Sequence, residues 1–294
     1  MAVKKNLIIV TELLKQFKDM DDSFLKPIRS HDDKVNNDTI NFNEIGADPA
    51  VLIDNVTYPI ATNSRTDDSK VVSLHKLETE NTKITDDELY ALPYDKKSSV
   101  REQHLNALMV AHIKLGAHSL APQADGANTP VIKTTGTLSG GRRAMLPADL
   151  VTLKDKADFL EIPIESRHLV LSAKHVNDLL LVDQAFRDRY YNTPTGKMIP
   201  GLYGFNIWES LHTPKYVAAF TKKVFGAAPL GTDLFASVFF STVNAMKAKG
   251  SAKIYQRNAE EDPENRQTVI GLRMYDIVAP VSTVGTGAII DNNV

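Results

Sequence analysis

Ile164-Glu165-Ser166-Arg167-His168-Leu169-Val170-Leu171-Ser172-Ala173-Lys174-His175-Val176-Asn177-Asp178-Leu179-Leu180-Leu181 changes its hydrophobic period halfway along. Arg167 to Ser172 is a short apolar run of strand length that ends in a serine suited to cap a helix. From Ala173 to Ala185 the apolar residues Val176, Leu179, Leu180 and Val182 recur at helical spacing, which predicts a helix directly after the strand. A second helix is expected upstream over 148–160. Downstream, the turn-rich stretch Tyr190 to Gly201 leads to a strand over Leu202 to Ser210. The apolar stretch 214–239 fits either helix or strand. Together these elements predict a mixed α/β region.

The flanks differ in character. Ser98 or Ser99, with Glu102 as a capping-box partner, starts a helix carrying Leu105, Leu108, Met109, His112 and Leu115 and ending near Gly116. Ala107, Val110 and Ala111 widen its apolar arc, so it is expected to be largely buried. Residues 121–147, rich in Gly and Pro, read as loop. Thr39–Ile45, Ile53–Ile60 and Val71–Leu77 alternate polar and apolar residues, as the strands of a two-faced ribbon do, with Ala61 to Lys70 as its exposed tip. A two-stranded ribbon is marginal in water and needs a partner surface. Ahead of it lie an amphipathic helix over 7–18 and an extended arm over 19–38 rich in Asp and Asn, both expected to pack on something other than their own core. The chain closes in a long hairpin, Lys253–Arg257 and Thr268–Ala279, around the charged turn Asn258 to Asn265.

Composition narrows the function. The 294 residues are 43% hydrophobic and 24% charged, enough for a sizeable core. Cysteine is absent, which excludes disulfides, thiolate catalysis and cysteine-ligated metals. The net charge of −2 lacks the basic surplus of a dedicated nucleic-acid binder. The apolar start Leu7–Val10 is too short for a signal segment, and no run reaches membrane-spanning length, so a soluble, membrane-free protein of the producing cytoplasm is expected.

Reaction chemistry is sparse. Gly136 to Arg143 is Gly-rich and basic but lacks the Lys-Ser/Thr ending of a phosphate loop. His104 and His112 lie about two helical turns apart, too far to share one metal ion, and read as hydrogen-bonded core or surface histidines. Glu260, Glu261, Asp262 and Glu264 could hold a hard cation, yet Pro263 marks a turn and a solvated tip or a subunit contact fits better. No nucleophile, base and orienter assemble at sequence level. No catalytic residue, metal or cofactor is expected.

The order of arm, ribbon, long helix, mixed α/β region and closing hairpin resembles the shell-forming fold of tailed-bacteriophage major capsid proteins, the HK97-like fold shared with encapsulin nanocompartments. The resemblance spans about residues 39–290. It is clearest in Ile164–Leu181, in Gly201–Glu209 and in Glu260–Asp276, which are similar to capsid proteins of phages related to the gut Bacteroidetes phages. It implies an α+β chain divided into an N-terminal arm (1–38), an E-loop β-ribbon (39–85), a spine helix with the first part of a peripheral domain (86–121), an axial α/β domain (122–240) and a closing peripheral hairpin (241–294). It also implies a non-enzymatic virion protein that assembles in the host cytoplasm. Its hexamers and pentamers would form an icosahedral shell enclosing double-stranded DNA without reading its sequence. Expected partners are its own copies, a portal protein, a separate scaffolding protein (only about 38 residues precede the ribbon) and decoration proteins. Candidate inter-subunit contacts are Arg65, Lys70, Lys76, Glu260, Glu261, Asp262, Glu264 and Arg266. Some relatives crosslink a ribbon lysine to a neighbouring asparagine. Lys70 and Lys76 are placed on the ribbon, but no acceptor is evident and no crosslink is expected. The alternatives are an encapsulin-like compartment and an unrecognised α/β enzyme.

Overall fold

A computed structural model of the chain describes residues 24–36, 39–44, 49–62, 64–91, 95–192 and 198–293. The predicted helix over 7–18 lies outside them.

The strand Arg167–Ser172 is central in a seven-stranded sheet, as its continuous apolar run requires. Leu169 and Leu171 face one side and Val170 the other, and all three are fully buried. The strand runs parallel to Phe205–Ser210 and antiparallel to Leu234–Ser241. Thr286–Ile290 and Val131–Lys133 extend the sheet on one side, and Met198–Leu202 closes the other. Leu150, Leu153 and Ala157 of the helix Pro147–Phe159 pack on the Leu169 face, as do Val176, Leu179 and Phe186.

Several expectations shift here. The helix after Ser172 is two helices, Ala173–Val182 and Gln184–Asn192. They break at Asp183, whose carboxylate accepts the Ala185 N–H at 2.9 Å and so caps the second helix. The predicted strand 202–210 is a hairpin, because Tyr203 and Gly204 adopt left-handed backbone angles (φ 52° and 79°) and turn the chain. The ambiguous stretch 214–239 resolves into the strands Lys215–Tyr216 and Leu234–Ser241. Thr286–Ile290, grouped by sequence with the closing hairpin, belongs instead to the α/β sheet.

The second face of that sheet rests on the end of a 25-residue helix, Lys96–Leu120. Its cap is Asp95, which accepts from the Lys97 and Ser98 N–H groups at 3.1 and 3.2 Å; Ser98 and Ser99 lie inside the helix. It also runs past Gly116, and the Lys222 ammonium donates to the His118 and Ala121 carbonyls near its end. Only one face is covered, since Ala107 and Val110 are exposed. Ala117 and Leu120 meet Val170, Trp208 and Phe240 under the α/β sheet. One end of the helix therefore supports that sheet, while Leu105, Leu108 and Met109 pack on Ile270, Leu272 and Met274 of a second sheet.

The arm corrects a further expectation. Phe24, Leu25 and Ile28 insert into the core between the long helix and Phe240, so this part of the arm is covered by its own chain. The Lys247 ammonium donates to the Leu25 carbonyl at 2.8 Å.

The second sheet is five-stranded and built on the closing hairpin, now Ala245–Arg257 and Gln267–Pro280. Arg29–Ser30 adds to one edge, and His75–Glu78 and Thr82–Thr85 to the other. The predicted strand 71–77 is therefore divided at Leu74. Asp68–Ser73 pairs with Thr39–Glu44 in a separate ribbon, extended by Val35–Asn36, while His75–Glu78 belongs to the body. The predicted strand Ile53–Ile60 does not form. Among the described residues the segment 49–62 has no ladder partner and is irregular and exposed, so the connection at the ribbon's far end is longer than the expected tip.

Candidate assembly surfaces

The segment between the ribbon strands carries six large apolar residues within ten positions, Val51, Leu52, Ile53, Val56, Tyr58 and Ile60. All are exposed, with Val51 at 85%, Ile53 at 84% and Val56 at 90%. Scattered surface apolar residues are ordinary, but a contiguous group marks an interaction site. Covering each side chain is worth roughly 1.5–3 kcal/mol before the costs of association. Sequence reasoning found the ribbon but placed Ile53–Ile60 in one of its strands, with Val56, Tyr58 and Ile60 on one face.

The expected contact residues do not gather in one place. Arg65 is exposed beside this segment and pairs with Asp67 at 2.6 Å. Lys70 sits on the ribbon strand opposite Phe42. Lys76 is on the body sheet opposite Tyr275, not on the ribbon, and bonds Glu78 at 2.9 Å, which holds its ammonium pKa above the ordinary value. At the hairpin tip, Ala259–Glu261 forms a short 3-10 turn. Glu260, Glu264 and Arg266 are exposed there, and Glu261 accepts the Asn258 N–H at 3.3 Å. Asp262 is turned inward: its buried carboxylate takes the Arg257 guanidinium at 2.7 Å and the Asn265 N–H at 3.3 Å. It is an internal tie of the tip rather than an exposed contact.

Sequence reasoning missed a buried polar network spread across distant segments. His175 Nδ1 lies 2.6 Å from Ser237 Oγ, and Nε2 lies 3.1 Å from an Asp291 oxygen. Arg142 reaches the same Asp291 oxygen at 3.3 Å and grips both oxygens of Asp178 at 2.7 Å. Burial pushes the Asp291 carboxyl up, but His175, Arg142 and the Phe235 N–H outweigh it and hold the group below its ordinary value. Ser, His and Asp in a row suggest acyl-transfer chemistry. Ser237 Oγ, however, is wholly buried and already accepts the Ser172 N–H at 3.0 Å, so no carbonyl can approach it. The network ties the helix Ala173–Val182 and the short strand Arg142–Arg143, which pairs with Leu138–Ser139 in a stretch expected to be loop, to the end of the last strand. His104 is likewise satisfied in the core, by Thr79 and Thr82 at 2.6 and 2.9 Å, and His112 Nδ1 hydrogen-bonds Asp276 there. Among the described residues no three His, Asp or Glu side chains converge as metal ligands, and no helix is long and apolar enough to cross a membrane.

No family model matches the chain, and no curated protein matches it. Solved structures do. The capsid of cyanophage P-SCSP1u is similar with a TM-score of 0.60 and 19% identity, over 86% of this chain and 83% of that one. The capsid of Ralstonia phage GP4 is similar with a TM-score of 0.64 and 10% identity, over 90% and 86%. A virus-like particle from Pyrococcus furiosus is similar with a TM-score of 0.53 and 11% identity, over 95% and 97%. At these identities the likeness is one of fold, and the chain has the mixed α+β, HK97-like fold of phage capsid structures.

Proposed function

We propose that the chain is the major capsid protein of a tailed phage, whose copies self-assemble as hexamers and pentamers into the icosahedral head enclosing a double-stranded DNA genome. The observation that carries this reading is the uncovered apolar segment Val51–Ile60, held out from the body on a ribbon, in a chain with a capsid fold. A surface of that kind is stable in water only when another molecule covers it, and repeated copies supply the cover through symmetry. Many moderate contacts closed into a shell then give durability that no single contact has.

On this reading the body sheet with the long helix is the peripheral domain and the seven-stranded sheet the axial domain. Arg65, Lys70, Glu260, Glu264 and Arg266 lie at contacts between copies. The net charge of −2 suits a wall that encloses DNA without gripping it. The finer expectations belong here too: a gut Bacteroidetes-phage type, portal, scaffolding and decoration partners, and assembly in the host cytoplasm. The test is expression of the chain with its genomic neighbours and imaging of the product, where closed shells filled with DNA support the reading and a compact monomer opposes it.

The likeness to the Pyrococcus virus-like particle favours a second reading, a protein compartment of the same fold. Nucleic acid inside purified shells supports the phage reading. A packaged enzyme in its place supports the compartment.

A further inference from the structure

Lys215, Lys222 and Lys223 lie close together beside the short strand Lys215–Tyr216, and two of the three are locked. Lys223 donates to the two oxygens of Asp233 at 2.8 and 2.7 Å and to the Ala228 carbonyl at 2.7 Å. Lys222 donates to the carbonyls at the end of the long helix. Lys215 is held differently. Its strand pairs antiparallel with Leu234–Ser241, which sets it directly opposite Phe235. Directly opposed residues put their side chains on one face of a sheet, and the Lys215 Nζ lies over the Phe235 ring, 2.9 Å from its centre. Lys174, in the first turn of the helix Ala173–Val182, brings a second ammonium over the same ring at 4.3 Å. Among the described residues the Lys215 Nζ has no hydrogen-bond acceptor and no carboxylate within ion-pair distance.

The amine is half-buried yet reachable. A cavity of about 230 Å³ opens beside it, lined by Lys215 together with Lys114, His118, His212, Phe225 and Asp233. Burial lowers the Lys215 pKa, the charge of Asp291 raises it, Lys174 lowers it again and Asp233 raises it, for a balance of about 8. Both carboxylates act from a distance, because Asp291 is held by His175 and Arg142, and Asp233 by Lys223. Burial also lowers the pKa of His118, whose ring meets the Lys223 carbonyl, and burial and Lys114 lower that of His212, so both rings are mainly neutral at pH 7. An amine with a pKa near 8 is partly unprotonated at neutral pH, where an ordinary lysine is almost wholly charged, and only the unprotonated form is a nucleophile.

We propose that Lys215 is a lysine acylation site, whose amine takes the acyl group of small acyl phosphates that enter this cavity. The Nζ lone pair attacks the acyl carbon and a C–N bond forms. The bond from that carbon to the phosphate oxygen breaks, phosphate leaves with the electron pair, and the amine's proton passes to solvent. Lys114, exposed on the cavity wall, favours a donor that carries negative charge. The product is a neutral amide, which a half-buried site tolerates better than an ammonium without a partner. The site is complete within one chain and independent of assembly.

The test incubates the folded full chain with acetyl phosphate from pH 6.5 to 9.5 and follows each lysine by mass spectrometry. At pH 7.5 Lys215 is acetylated at least about tenfold faster than the exposed Lys253, and its rate levels off above about pH 8.5, while that of Lys253 keeps rising by about tenfold per pH unit. Lys223, in the same cavity but bound to Asp233, reacts more slowly than Lys215 throughout. Lys174→Met removes the second ammonium, so the levelling-off moves to higher pH and Lys215 slows at pH 7.5, with Lys253 unchanged. Equal rates for Lys215 and Lys253 at pH 7.5, a Lys215 rate still climbing tenfold per unit at pH 9.5, or a profile that Lys174→Met leaves in place overturns the proposal.

Discussion

His112 of the long helix and Asp276 of the closing hairpin hydrogen-bond to each other where water does not reach either side chain. The contact pins the helix to the sheet it lies on. Removing one member strands the other in an apolar site, so His112→Ala or Asp276→Ala lowers the stability of the unassembled chain by about 3 kcal/mol. His112→Leu combined with Asp276→Leu costs less than either single change. Urea unfolding followed by circular dichroism measures all three.

His168 makes the fold acid-sensitive. Its ring stacks on Phe240 and its Nδ1 accepts the Trp208 indole N–H at 3.0 Å, and burial lowers its pKa to about 4. Between that value and the ordinary value near 6.5 the unfolded chain binds a proton that the native chain does not. Its contribution is therefore complete above about pH 6.5 and falls as pH drops toward 4, by up to roughly 3 kcal/mol. Unfolding of the chain at pH 7 and pH 5, read by Trp208 fluorescence, shows the loss, and His168→Phe flattens it.

The Ser237–His175–Asp291 row is structural. Asp291→Asn weakens the grip on Arg142 and lowers the melting temperature. The carboxylate sits below its ordinary pKa, so its contribution is present at neutral pH and is lost as pH falls through the carboxylate range. Ser237→Ala costs about 1 kcal/mol. Hydrolysis of an activated ester by the native chain and by Ser237→Ala proceeds at the same rate. A faster native rate that this substitution abolishes revives the enzyme reading.

Gly116 leaves room for the arm. A Cβ there would stand 2.9 Å from Leu25 Cδ1 and 3.4 Å from Val278 Cγ2. Gly116→Ala is absorbed by a small shift of the leucine. Gly116→Leu expels Leu25 and frees the arm, which limited trypsin digestion detects as faster cleavage after Arg29.

The parts of the fold that were readable from sequence are those whose cause is local. Arg167–Ser172 combines a continuous apolar run with a serine that does cap, its Oγ accepting the His175 N–H. The long helix carries its apolar stripe at helical spacing, although its cap came earlier, from Asp95. Alternation misled at Ile53–Ile60, because it describes a strand only when a partner strand is present, and none is found among the described residues. The arm misled for the opposite reason: Phe24, Leu25 and Ile28 sit among aspartates and asparagines that gave them the look of a loop. The Asp291 network joins residues 36 to 149 positions apart, and no spacing within one segment signals it. The ribbon was legible as a device needing cover, but Lys76 and its strand belong to the body. A deletion meant to remove only the exposed part must therefore stop at Thr62.

Electron microscopy of the full chain beside a variant with residues 49–62 replaced by a short Gly-Ser linker tests the central claim most directly. The account predicts closed shells from the full chain and folded, dispersed subunits from the variant. Equally abundant shells from both contradict it.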